Sequence, residues 1–566
     1  MQIQVPHLSP PQVSTAADRV RRLTRYDQLR GLILANRLFA LALAAGAVLR
    51  LVAVLGYPGA LWFAGDSYVY LGAALRLRPD LSKTTGYSLF LKLLEPFHSL
   101  TLVTIVQHLM GLAIAVLLYA LLRRARVPKL WATLATLPVL LNGFQVELEH
   151  MVMADTLFMF LLVVAVALLL WSERPSWPAV LVAGLLTGYA VTVWTGGLVM
   201  PVVFLGFLIV RRKGWRSLVA IVAGSAIPIV GYLMWFHSWT GEYAFTKSEG
   251  FYLYGRVSSF AECARINPPA SERILCLSTP PSKRQAPGSL IWHVKQVHEV
   301  PGGPVSTAGN QMLRDFAIRA IEAQPLSYAH AIVHGLVLAV EPQRHPYPSK
   351  GTVYDYYFHR APQKVPNRSW IPGATAPQDI RAYGHASISR VVEPFAFAIA
   401  AYERVFYLYG PLFGLIMVLG LGGIVRITRR PGQGLAIERR RDGPSMMPWV
   451  SAVVLLIFPI AVADFDYRYL LPVVPFACLA AGLAFAAPAV RPKREDPQPS
   501  GAEAVPGGAE TAPGSAETVT GASQAADGRP AEAGRPETVD GGQESSGRTG
   551  DGLVGNSSRS PSAVPE

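Results

Sequence analysis

The chain has 566 residues, 51% of them hydrophobic and only 16% charged, with a mean hydropathy of +0.31. That balance excludes a string of soluble domains and marks a membrane protein. The net charge is +14, yet the 76 residues after position 490 carry −5, so the first 490 residues hold +19. The basic clusters flank apolar runs, where insertion and anionic lipid headgroups favour them, and no nucleic-acid partner is expected.

Residues 1–33 form a basic N-terminal stretch without the pattern of a cleavable signal peptide, so the first apolar run reads as a start-transfer anchor. About 20 apolar residues cross a bilayer as a helix. The qualifying runs are 36–56, 101–122, 130–144, 152–171, 178–193, 197–210, 217–236, 405–425, 447–463 and 469–489. These ten runs predict an α-helical polytopic protein. With them the basic stretches 19–30, 123–129, 211–216, 426–441 and 491–494 all fall on one side, which places both termini in the cytoplasm. A core of about seven spans then occupies 34–236, an extracytoplasmic region 237–400, and about three further spans 401–490. Residues 326–340 are apolar but short, and are expected to form a helix packed within that external region or lying at the interface. The tail 491–566 holds no Phe, Tyr or Trp and is expected to be disordered. An excess of Arg over Lys, with abundant Ala and Gly, hints at a GC-rich bacterial genome, so the expected location is a bacterial plasma membrane.

Among nucleotide-hydrolysis, metalloprotease and serine-hydrolase signatures none is present, so the chemistry rests on carboxylates at span ends. Asp66, in the stretch Gly65-Asp66-Ser67-Tyr68, follows the first span and could serve as a base. Its bland alternative is a helix N-cap. Glu147, Glu149, His150 and Asp155 cluster between the third and fourth spans. If a helix starts near Glu147, then Glu147 and His150 share a face that Met151 and Asp155 could join. Asp155, a turn or more inside an apolar helix, is expected to have a partner or a task. Lys83, Lys247, Arg256 and Arg468 are candidate partners for an anion, Arg468 through two parallel hydrogen bonds to a phosphate. Its alternative is a snorkelling anchor or an ion pair with Asp464 or Asp466. Arg50 reads as paired or snorkelling, and His108 as a packing histidine. Cys263 and Cys276 can pair in an oxidising compartment, while Cys478 sits in an apolar run.

The order Arg50-Leu51, Gly65-Asp66-Ser67-Tyr68, Thr85-Gly86-Tyr87, Val106-Gln107-His108, Glu149-His150 to Asp155-Thr156-Leu157-Phe158, Leu186-Thr187-Gly188 and Tyr467-Arg468-Tyr469-Leu470-Leu471-Pro472 resembles the GT-C glycosyltransferases. The likeness is to bacterial members related to the dolichyl-phosphate-mannose-protein mannosyltransferases and aminoarabinose transferases. It covers residues 34–236 well and 402–489 more loosely. The resemblance implies that Asp66 is the catalytic acidic residue, with Asp155 or, less well, Glu149 as a second. Lys83, Tyr87, Glu149, His150, Arg256 and Arg468 are then substrate-binding candidates. Many relatives carry two adjacent acids where this chain has Asp66-Ser67. A divalent cation is a cofactor candidate without assigned ligands. The implied partners are membrane lipid, a polyprenyl-phosphate sugar donor, and an extracytoplasmic acceptor that is a protein, lipid or polysaccharide. Two other classes fit the same composition: a carrier or flippase for a lipid-linked or small polar substrate, and a non-catalytic assembly protein.

Overall fold

A computed structural model describes residues 27–486, apart from 29, 64, 385–389, 431–433 and 440–442; of 425–430 and 434–439 only the backbone is described. The tail expected to be disordered, and most of the basic N-terminal stretch, lie outside the described residues.

The chain is an α-helical polytopic membrane protein. Four helices have the length and apolarity to cross a bilayer alone: Arg37–Gly56, Leu100–Arg124, Trp215–Thr240 and Tyr467–Ala484. Two bent pairs pass the same test together, Thr307–Ala323 with Pro325–Val340 (100°) and Phe395–Val405 with Gly410–Ile424 (61°). The remaining apolar helices are shorter: Lys129–Leu140, Asp155–Leu170, Trp177–Val193, Thr195–Val210 and Met446–Val462. Each of the ten apolar runs in the sequence coincides with one of these helices, but most fall below twenty residues. Prolines and buried polar links shorten them; Leu137–Leu140, for example, restarts on Pro138 after a break.

Small residues permit a close crossing between two of the apolar helices. A Cβ on Gly188 would lie 2.3 Å from the Ser225 carbonyl oxygen, and one on Gly224 would lie 2.5 Å from that of Leu181. The helices Trp177–Val193 and Trp215–Thr240 therefore touch backbone to backbone, as small-residue seams allow in lipid. At the basic end, Arg124 donates to the Trp171 carbonyl and Lys213 to that of Glu173, which ties two basic loops to the turn after Leu170. The helix ending at Leu170 starts at Asp155, so Asp155 lies at the opposite end of the bundle.

The expectation of one helix carrying Glu147, His150 and Asp155 on a shared face is corrected. One helix spans Gly143–His150 and another begins at Asp155. Between them the chain is pulled out of helix by Leu61, which donates to the His150 carbonyl at 3.0 Å and accepts from the Val152 amide at 3.1 Å. Helix Pro325–Val340 lies against two spans. Tyr328 donates to the carbonyl of Ala461, and the end at Val340 abuts Gly410, so both ends meet the same end of the bundle. A separate apolar cluster around Phe251, Tyr254 and Phe316 forms a lobe within 249–331, in which Cys263 and Cys276 are joined by a disulfide. An antiparallel ribbon, Val425–Arg430 with Gly434–Arg439, links the helices Gly410–Ile424 and Met446–Val462.

Gly188→Ala is expected to destabilise the protein by about 1–3 kcal/mol through overpacking against backbone. Gly206→Ala, where nothing lies within 4 Å of the added Cβ, should be neutral or stabilising. Thermal unfolding of both variants in detergent measures the difference.

Candidate functional site

Asp66 opens the helix Asp66–Arg76, with Gly65 before it. Gly65 is required, since its Cβ would lie 2.4 Å from the Trp370 ring. The cap position belongs to Gly65, and the Asp66 side chain makes no capping hydrogen bond, so the bland N-cap reading of this carboxylate does not hold. Ser67 supplies the local bond instead, accepting from the Phe63 amide at 2.9 Å.

The Asp66 carboxylate faces two cations. Its Oδ1 lies 3.0 Å from Lys83 Nζ, and its Oδ2 accepts from Arg468 Nη1 at 3.0 Å. The three side chains are 15%, 17% and 12% exposed, so the cluster is sheltered but still reachable. Burial raises the Asp66 pKa, but the charges of Lys83 and Arg468 outweigh it and lower the carboxyl to about 2.

Each cation is held by its surroundings. Asp80 Oδ1 accepts from the amides of Ser82 and Lys83, closing a tight turn that aims Lys83 inward. The Lys83 ammonium also lies over the Tyr252 ring, 5.6 Å from its centre. Arg468 stands in the turn Tyr467–Leu470, where Asp466 accepts from its amide at 3.1 Å. The Asp466 carboxylate in turn accepts from the Tyr356 hydroxyl at 2.6 Å. The guanidinium lies between the rings of Phe63 and Tyr469, 5.1 and 5.3 Å from their centres. Arg468 Nε is buried and lies 3.8 Å from Asp466 Oδ2, with no hydrogen-bond partner among the described residues.

Asp155 belongs to the same neighbourhood, feeling the charges of Arg468, Asp466 and Asp66, and it forms no ion pair among the described residues. Tyr87 stands one layer back. Its ring packs edge-on against Tyr70 at 5.1 Å, and its hydroxyl donates to Gln107 at 2.7 Å. Tyr70 itself lies within electrostatic reach of Asp66, Lys83, Arg468 and Asp155.

Four other candidates, Glu149, His150, Arg256 and Lys247, have partners of their own. Glu149 is fully buried and takes both the Nε and Nη2 hydrogen bonds of Arg50, at 2.7 and 2.8 Å, plus His108 Nδ1 at 2.9 Å. His108 Nε2 meets His150 Nδ1 at 3.0 Å, and His150 Nε2 meets the Tyr57 carbonyl at 2.8 Å. Arg50 is thus paired, and the two histidines belong to a closed polar chain holding the loops that carry Asp66 and Asp155. Arg256 pairs with Asp464 at 3.4 Å, and Asp464 also accepts from Tyr347 and from the Gly288 amide. Lys247 pairs with Glu242 at 2.9 Å. Among the described residues no group of three or more His, Cys, Asp or Glu is gathered to hold a metal ion.

Sequence reading singled out Asp66, Lys83, Asp155 and Arg468, and the fold brings these four together. Of the two partners it offered Arg468 as an alternative, Asp466 lies 3.8 Å from Arg468 Nε, and Asp464 pairs with Arg256 instead. It did not single out the rings of Phe63, Tyr252, Tyr356 and Tyr469. The only available signal was aromatic enrichment near span ends, which interfacial anchoring produces as well.

Neither a protein-family model nor a curated protein sequence matches the chain. Among solved structures it is similar to the S. cerevisiae protein O-mannosyltransferase Pmt1–Pmt2 complex bound to the sugar donor. The identity there is 15%, covering 43% of this chain and 36% of that one, with a TM-score of 0.30. It is also similar to the Archaeoglobus fulgidus oligosaccharyltransferase in the apo form, at 11% identity, 78% and 50% coverage and a TM-score of 0.36. A third is oligosaccharyltransferase AglB from the same organism in complex with an inhibitory peptide and a dolichol-phosphate, at 12% identity, 78% and 50% coverage and a TM-score of 0.32. The chain spans half or less of the length of each, and a likeness of this size does not carry their activities or ligands over to it.

The depressed Asp66 pKa makes a stability prediction. A carboxyl with a folded value of about 2 against 3.8 unfolded stabilises fully above the unfolded value, and that contribution fades as pH falls through the folded one. Melting temperatures in detergent between pH 5 and pH 2 should fall more steeply for the wild type than for Asp66→Asn. Parallel curves would refute the ion cluster.

Proposed function

We propose that the protein is a membrane glycosyltransferase that moves a sugar from a polyprenyl-phosphate donor to an extracytoplasmic acceptor, with inversion at the anomeric carbon. The observation that carries this reading is the shared pair of cations. Lys83 and Arg468, one on each oxygen of Asp66, form a ready site for a phosphate at the end of the bundle opposite the basic loops.

In the resting state the two cations make Asp66 a weak base, because they stabilise its ionised form. A donor phosphate arriving between Lys83 and Arg468 draws them onto its own oxygens and leaves the carboxylate less neutralised. Its proton affinity rises when donor is bound. The acceptor hydroxyl then attacks the anomeric carbon, the bond from that carbon to the phosphate oxygen breaks, and Asp66 takes the hydroxyl proton. The leaving polyprenyl phosphate keeps the bonding electrons, and Lys83 and Arg468 stabilise its added charge. Asp155, within electrostatic reach of Arg468 and without an ion pair among the described residues, is a second acidic residue of the site, positioned to bind sugar or acceptor hydroxyls. Positive-inside placement of the basic loops puts this chemistry outside a bacterial plasma membrane, with both termini in the cytoplasm. There a nucleotide sugar is absent and a lipid-carried sugar is the available donor.

The test is transfer by the full chain in liposomes supplied with labelled polyprenyl-phosphate hexoses and pentoses. Asp66→Asn should lower turnover by about 10²–10⁴, the range for losing a general base. Arg468→Lys and Lys83→Met should each lower it by about 10²–10³, the size seen when one charge-stabilising donor is removed. Undiminished transfer by Asp66→Asn overturns the assignment, and donor movement across the bilayer without transfer favours a carrier.

A further inference from the structure

Two cavities meet beside the turn that carries Arg468. One is an apolar groove of about 410 Å³ between the helices Lys129–Leu140, Gly410–Ile424 and Val474–Ala484. One end is marked by Trp131 stacked on Phe485, with ring centres 4.2 Å apart. At the other end Asn142, Tyr407 and Leu408 also line a smaller cleft that holds Arg344 and Glu341. From Trp131 to Leu141 the rise is roughly 15 Å at about 1.5 Å per residue. That is about half of a ~30 Å hydrocarbon layer, the depth of one leaflet.

Arg344 is the unusual feature of this mouth. Its guanidinium lies over the rings of Phe144, Tyr407 and Tyr467, 4.3, 4.7 and 5.4 Å from their centres. Among the described residues it forms no ion pair and no hydrogen bond. The buried carboxyls of Glu147 and Glu403 are within electrostatic reach of it but outside ion-pair distance. Its five N–H donors are held flat by aromatic rings and left free for a phosphate. Glu341 stands three residues earlier, and its buried Oε2 lies 3.1 Å from His345 Nε2 without a hydrogen bond among the described residues. A bare phosphate beside this carboxylate would be repelled, whereas a head carrying an ammonium next to its phosphate satisfies both signs.

We propose that this groove and its mouth form a binding site for one phosphoethanolamine glycerolipid. Its phosphate sits on Arg344, its ammonium faces Glu341, and one acyl chain lies in the groove toward Trp131 and Phe485. The site is independent of the sugar chemistry assigned to Asp66. Its occupant fills the seam where Gly410–Ile424 and Val474–Ala484 meet Lys129–Leu140.

Native mass spectrometry of the full chain, in micelles doped with a single lipid, tests this. Phosphatidylethanolamine should be retained as one copy per chain and should raise the melting temperature. Phosphatidylglycerol and phosphatidylcholine should be retained at least about tenfold more weakly. Arg344→Gln should lower phosphatidylethanolamine retention by about tenfold or more, the usual scale for a charged hydrogen bond. Leu412→Trp, which fills the groove from its exposed side, should lower it without altering the mouth. Equal retention of phosphatidylglycerol overturns the assigned head, and retention unaffected by both substitutions overturns the site.

Discussion

A carboxylate sheltered from water at the end of a helical bundle is tolerable only when its charge is answered. The fold answers Asp66 twice, with Lys83 on one oxygen and Arg468 on the other. These three residues come from a helix start, a tight turn and the lead-in to the last long helix, and the Asp66–Arg468 contact spans 402 positions. Much of the surrounding structure serves that meeting. Asp80 shapes the turn that delivers Lys83, and Tyr356 holds Asp466, which caps the turn carrying Arg468.

Behind the cluster a second charged group plays a different part. Arg50, Glu149, His108 and His150 are buried, and each is hydrogen-bonded to the next. Removing one partner from such a chain leaves an uncompensated buried charge, a larger loss than the chain gains by existing. The packing around it leaves little slack, since a Cβ on Gly111 would fall 1.9 Å from Glu149 Oε1. Its function is to hold geometry. Gln107 donates to the carbonyls of Glu149 and Met151, and His150 reaches Tyr57, which ties together the two loops leading to Asp66 and Asp155.

What could be read from the residues follows from what each signal measures. Apolar runs report transfer into hydrocarbon, which is local, so every run reappears as a helix. Charged residues at run ends report an energetic anomaly, which is also local, and they identified Asp66, Lys83, Asp155 and Arg468. Partner choice is not local. Arg256 looked as suitable for an anion as Arg468 did, yet it is consumed by Asp464, itself fixed by Tyr347 and Gly288. The break between His150 and Asp155 was equally invisible, because it comes from a strand-like pairing with Leu61, some ninety positions away.

The central claim is that Asp66 and the donor phosphate compete for the same two cations, and binding measures it more directly than turnover does. The affinity of polyprenyl phosphate should be compared between wild type and Asp66→Asn in the same detergent at neutral pH. The account predicts equal or tighter binding to Asp66→Asn, since Lys83 and Arg468 are released to the phosphate. Weaker binding to that variant would contradict it.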